Sequence, residues 1–169
     1  MRTSIALLSV IFLSTSALAE PRDNQTVTVG PWAIATHYKT DKFESCSMSR
    51  SAGELGITFI RSQDGLVVLL DSPKWKLNKG KAYPVRLVAG SRSIDAQALA
   101  ETKNVTIALE DSRLNSTLRV VSIFEVRGAG ATLRVPLDGS AAAFERLETC
   151  FGKRETAETN PFVAPSRKP

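Results

Sequence analysis

The sequence predicts a mainly β domain, an antiparallel sandwich or barrel-like fold with one C-terminal α-helix. Three observations carry that expectation. Short runs that alternate apolar and polar residues recur at intervals of about ten residues, which suits strands joined by turns better than strands joined by crossover helices. Turn-forming clusters separate several of them, at Gln63-Asp64-Gly65, Asn78-Lys79-Gly80-Lys81 and Arg127-Gly128-Ala129-Gly130. One stretch, after Ser140, repeats its apolar residues at the helical period for several turns.

The elements follow in order. Val27-Thr28-Val29 reads as a short strand broken by Gly30-Pro31, after which residues 32–37 place Trp32, Ile34 and Thr36 on one face and Ala33, Ala35 and His37 on the other. Beyond the polar stretch 39–45, Cys46 and Met48 share a face opposite Ser47 and Ser49. Leu55, Ile57 and Phe59 alternate in the same way up to the turn at Asp64-Gly65. Residues 66–70 are continuously apolar, so this run is expected to be a central strand covered on both faces. Tyr83-Pro84-Val85-Arg86-Leu87-Val88 sets Val85 and Leu87 inward and Arg86 outward, with Pro84 at a position where a missing N–H breaks no ladder bond. Runs 94–98 and 105–109 alternate again. Asp111 to Leu118 is compatible with a short helix that delivers Leu114 and Leu118 at i, i+4 spacing. Runs 121–126 and 131–135 flank the Arg127–Gly130 turn as a hairpin. Ser140 is expected to be the N-cap of a helix over 141–151, whose stripe of Ala143, Phe144, Leu147, Cys150 and Phe151 faces the sheet.

The N-terminus has the order of a cleaved secretory peptide. Met1-Arg2 is positive, residues 5–13 form an apolar run, and Ala17-Leu18-Ala19 is a small-x-small site before Glu20. Residues 1–19 are therefore expected to be removed, 20–152 to fold as a single β-rich domain, and 153–169, polar with three Pro and no periodicity, to be a disordered tail. Past the leader, no apolar run approaches the roughly 20 residues needed to span a bilayer as a helix.

Export decides the meaning of the two cysteines. Cys46 and Cys150 lie about a hundred positions apart, far from a C-x-x-C spacing, and in an oxidising compartment an even pair with no other partner forms one disulfide. The sharper alternative, a nucleophilic cysteine activated by His37, requires a thiolate that a disulfide partner would consume. Two Cys and one His cannot build a zinc finger or an all-Cys iron–sulfur centre, and neither cofactor nor metal is expected.

The order Gly30-Pro31-Trp32, then Cys46-Ser47-Met48-Ser49-Arg50, then Trp75-Lys76-Leu77-Asn78-Lys79-Gly80-Lys81-Ala82-Tyr83-Pro84-Val85, then LRVPLDGS over 133–140 and the helix ending in Cys150 resembles the invasion-associated locus B family of exported bacterial proteins. The resemblance spans roughly 30–151. Its most specific part is the Trp-x-Leu-x-x-Gly-x-x-Tyr-Pro-Val run, followed at a distance by the Gly-Ser-led helix with its cysteine. It implies a β-rich periplasmic or secreted protein, and it implies no catalytic residues. The long polar tail and Ala89-Gly90-Ser91-Arg92 depart from a minimal family pattern.

Each chemical motif has a plain competing explanation. A lone His37 on a strand is more often hydrogen-bonded than catalytic. The glycines of residues 127–131 lack the Lys-Ser/Thr and the following helix of a phosphate loop. Ser140 lacks a nucleophile-elbow spacing, and Asp64 and Asp71 lack a second carboxylate at a telling distance. Lys74, Trp75, Lys76, Lys79, Lys81 and Tyr83 remain as a candidate binding surface, a basic segment with aromatic neighbours suited to anionic lipid, lipopolysaccharide or another polyanion. Against it stands a lysine-blunted hairpin with Trp75 in the core, since the net charge of +5 is only mildly basic. The expectation is an exported non-enzymatic binding or envelope-associated protein whose partner is an envelope or host-surface component and not nucleic acid. The alternative is a secreted enzyme or enzyme inhibitor with a site that sequence spacing does not reveal.

Overall fold

The computed structural model describes residues 26–40 and 42–159, with side chains as far as Lys153. The leader expected at 1–19 lies outside the described residues. Ten strands and two helices follow one another as β1 (Thr26–Val29), β2 (Trp32–Lys39), β3 (Lys42–Ala52), β4 (Leu55–Ser62), β5 (Gly65–Asp71), β6 (Ala82–Ala89), β7 (Arg92–Ala100), β8 (Asn104–Ala108), α1 (Ser112–Thr117), β9 (Ile123–Arg127), β10 (Thr132–Pro136) and α2 (Ser140–Thr159). All the strands belong to a single antiparallel sheet in the order β1-β2-β3-β4-β5-β8-β7-β6-β9-β10.

The first five strands form a meander. Tight turns join them, with Gly30 at φ 57°, Gly53 at 62° and Gly65 at 125°, conformations that a side chain would strain. Two longer connections then rearrange the order. Residues 72–81 carry the chain from β5 past two strand positions to β6, and residues 109–122, including α1, carry it from β8 back to the outer side of β6.

One face of the sheet makes the core. Ile34, Met48, Phe59, Val68, Ile107 and Ala98 stand in one cross-strand row, and all are at most 3% exposed. Against this face α2 lays Ala143, Phe144, Leu147 and Phe151 over β2, β3 and β4, with the Phe144 ring 5.0 Å from that of Phe59. The Trp32 indole N–H donates to the Asp138 carbonyl at 2.9 Å, so the backbone after the last strand returns to the start of β2 and the open sheet is coiled like a barrel. The mainly antiparallel β class with a C-terminal helix is what the alternation predicts.

Several local expectations need correction. The apolar run 66–70 is a central strand, yet only Leu66, Val68 and Leu70 are buried, whereas Val67 and Leu69 on the outer face are half-buried. Their neighbours in the ladder on that face are Ile60, Thr58, Thr106 and Ala108. The polar stretch 39–45 belongs largely to the sheet. Lys42 to Ser45 begin β3, paired with β2 across a bulge at His37/Tyr38, and the Tyr38 and Phe43 rings meet there at 6.3 Å.

Ser140 does not cap α2 from outside. It is the helix's first residue, and its hydroxyl donates to the Leu118 carbonyl at 3.1 Å, which ties the start of α2 to the end of α1. Nor does the helix stop at Gly152. It continues to Thr159, because Lys153-Arg154-Glu155-Thr156-Ala157-Glu158 contains good helix formers and no proline until Pro161. The domain boundary expected at 152 therefore falls inside a helix, and residues 160–169 of the expected tail lie outside the described residues. In α1, the Asp111 carboxylate accepts the Leu114 N–H at 2.6 Å, and Leu114 and Leu118 are both buried as their spacing predicts.

Candidate functional site

The lysine-rich segment lies in the β5–β6 connection and is not a hairpin. Its backbone is fastened to the β7–β8 turn by a series of bonds. Ser72 N–H donates to the Lys103 carbonyl at 3.0 Å, Leu77 N–H to Thr102 at 2.9 Å, and Gly80 N–H to Ala100 at 2.7 Å; Ala100 N–H returns one to Lys81 at 2.9 Å. The Asn78–Lys81 turn closes with a 3.1 Å bond, and Gly80 adopts φ 79°. A segment without regular structure is thus held in one path, and its side chains are presented in a fixed order.

The six candidate residues do not all remain available. Lys74 Nζ lies 2.6 Å from Glu54, and Lys79 Nζ lies 3.0 Å from Glu101, both exposed ion pairs of the kind worth at most about 1 kcal/mol. Lys81 stands over the Tyr83 ring at 5.0 Å, and Lys76 is exposed with no ion pair among the described residues. Trp75 packs on the margin of the core without being enclosed, so neither the buried nor the fully exposed version expected for it holds. The surface is a lysine strip stiffened from below by a half-buried tryptophan and tyrosine, with two of its four lysines already paired.

The other reactive groups are tied into the fold. Cys46 and Cys150 form the expected disulfide, with Cα atoms 6.2 Å apart, and Thr36 Oγ1 lies 3.4 Å from Cys150 Sγ. Strand alternation turns Thr36 inward toward this bond and His37 outward, where its Nε2 meets Ser47 Oγ at 2.7 Å. A cysteine–histidine pair is therefore excluded by parity on β2 as well as by oxidation. The 127–131 glycines form the β9–β10 turn, with Gly128 N–H donating to the Ala131 carbonyl at 2.8 Å. Among the described residues no group of His, Cys, Asp and Glu could hold a metal ion, and no helix is long and apolar enough to cross a membrane.

A second place of interest is invisible to motif reading. Arg61 continues the inward parity of Ile57 and Phe59 on β4, directly beside Cys46 and Leu66 in the ladder. Its guanidinium covers the Phe151 ring at 5.0 Å, and Nε lies 3.5 Å from Glu148 Oε2. Arg119, at the end of α1, takes the other oxygen of Glu148 at 3.2 Å and covers Phe144 at 5.4 Å. These residues border a cleft of about 540 Å³ between the β4–β5 turn, the end of β8, α1 and α2. The signal was present in the sequence as a charged residue on the core parity of an apolar strand, where only a partner from another element can accept it.

No family model matches the chain, and comparison with curated proteins and with solved structures returns no match. The resemblance to the invasion-associated locus B family accordingly rests on the quoted residues alone.

Proposed function

We propose that the chain is an exported bacterial binding protein, of the invasion-associated locus B kind, that attaches through residues 74–83 to an anionic component of an envelope or host surface. The observation that carries this reading is the lysine strip itself. A connection of ten residues is bonded to the neighbouring turn along its length, and it exposes Lys76 and holds Lys81 over the half-buried Tyr83 ring. Such pre-ordering lowers the entropy lost when a flexible basic loop meets a partner. The disulfide supports export, because such bonds persist in oxidising compartments. The occupation of His37 by Ser47 and of Ser140 by Leu118 supports binding over turnover.

Vesicle sedimentation tests the reading. Vesicles containing lipopolysaccharide or anionic phospholipid should retain the protein, and neutral phosphatidylcholine vesicles should not. Retention should fall as salt shortens the screening length from about 10 Å at 0.1 M to about 3 Å at 1 M. Replacing Lys74, Lys76, Lys79 and Lys81 by Gln should remove it while the fold survives. Retention that is equal on neutral vesicles, or unchanged by the four substitutions, refutes the proposal.

A further inference from the structure

The cleft lies at the other end of the strands that carry the lysine strip. It opens at Gly65 and Ala108, whereas the strip leaves from Asp71 and the Asn104 turn, which places the two about 20 Å apart at roughly 3.4 Å per residue. Its volume falls within the roughly 300–1,000 Å³ of small-molecule sites. The floor is apolar, formed by the buried Leu66 and Leu109, whose backbones are joined by a 2.9 Å bond.

The charges around that floor are divided. On the α2 side, Arg61 and Arg119 share the single carboxylate of Glu148, which leaves an excess positive charge. Both guanidinium groups stand over phenylalanine rings, and the buried Arg61 Nε makes no hydrogen bond among the described residues. At the outer lip stand Asp64, in the β4–β5 turn, and Glu110, which the Leu109–Leu66 bond sets beside Gly65. Both line the cleft, both are exposed, and neither has a cationic partner among the described residues. Asn115 also lines the cleft, its amide fixed by a 2.8 Å bond to the Leu109 carbonyl. An unshared cation at one end and unshared carboxylates at the other call for a ligand that is itself charged at both ends.

We infer that this cleft binds a small zwitterion of the class of a short peptide with both termini free, its carboxylate against Arg61 and Arg119 and its ammonium against Asp64 and Glu110. An apolar side chain covers Leu66 and Leu109. The site is independent of the lysine strip and does not rest on the envelope reading.

Titration calorimetry on the full chain with the tripeptide Ala-Leu-Ala tests it, using the free, N-acetylated and C-amidated forms. The free peptide should saturate, and either block should weaken binding by about tenfold or more, the size of one charge-assisted hydrogen bond. Arg119→Gln should erase the difference between free and amidated peptide, and Asp64→Asn with Glu110→Gln the difference between free and acetylated. The four Lys→Gln changes should leave all three titrations as they were, which separates this inference from the proposal above. Absence of saturation by the free peptide at about 10 mM, equal binding of the blocked forms, or differences that persist in the variants overturns the inference.

Discussion

Replacing both cysteines by alanine gives a quantity that the structure sets directly. Cys46 and Cys150 are separated by 104 positions, and closing a loop of that length removes about 4.7 kcal/mol of denatured-chain entropy in the loop-closure model. Cys46 is fully buried and Cys150 is partly covered, so two sulfur atoms also leave the interior, at about 1 kcal/mol together. Native strain and residual denatured structure act the other way, and the expected loss is roughly 3–5 kcal/mol. For a domain of this size that is a fall in Tm of roughly 8–15 °C. The fold should persist, since α2 remains docked by Phe144, Leu147 and Phe151. Guanidinium unfolding of wild type, reduced wild type and the double variant is the assay. Reduced protein and variant should agree, and both should have a larger m than the oxidised chain because an untethered denatured state exposes more surface. A loss below about 1 kcal/mol with an unchanged m would refute the view that the bond acts by restraining the unfolded chain.

Further outcomes follow from packing and charge. Phe144→Ala, which empties the contact with Phe59 beneath α2, should destabilise by roughly 3–5 kcal/mol in the same assay. Trp75→Ala should cost about 2 kcal/mol, because water can reach the half-buried site and no closed cavity is left. The Arg86 guanidinium donates to Asp95 at 2.8 Å, and this bond together with its charge holds the Asp95 carboxyl below its ordinary pKa. A lowered carboxylate contributes stability above its unfolded pKa and loses it as pH falls through the folded value. NMR titration should therefore find Asp95 titrating below the usual carboxylate range in wild type, and moving up in Arg86→Gln.

The faces of the strands were legible because alternation reports which side of a chain meets the core. Trp32 with Ile34, Ile57 with Phe59, and Val85 with Leu87 are all read correctly from spacing alone. What alternation leaves open is the partner. The pairing of Val68 with Ile107 spans the whole β6–β7 hairpin, and nothing local in either strand encodes it. For the same reason residues 74–81 read as a hairpin tip, although their hydrogen bonds across to the neighbouring strand end and turn go to Ala100 and Thr102. Ser140 misled in a different way, since the residue type that favours a cap also satisfies a buried carbonyl, and here Leu118 claims the hydroxyl. The cleft was not seen because Arg61, Arg119 and Glu148 come from three elements, and each alone looks like an ordinary surface charge.

The order β5-β8 in the middle of the sheet has a kinetic meaning. Every ladder before it joins consecutive strands, as do β6–β7, β7–β8 and β9–β10, so each can zip from its own turn within microseconds. The β5–β8 ladder must instead wait for the two halves to find each other, and the closure entropy of the intervening chain is lost before its buried pairs compensate. We expect this seam to be the late step of folding and the first to part under load. Pulsed hydrogen exchange during refolding should protect Met48 and Phe59 amides before those of Leu70 and Val105, and simultaneous protection of all four would mean that the sheet assembles as one unit.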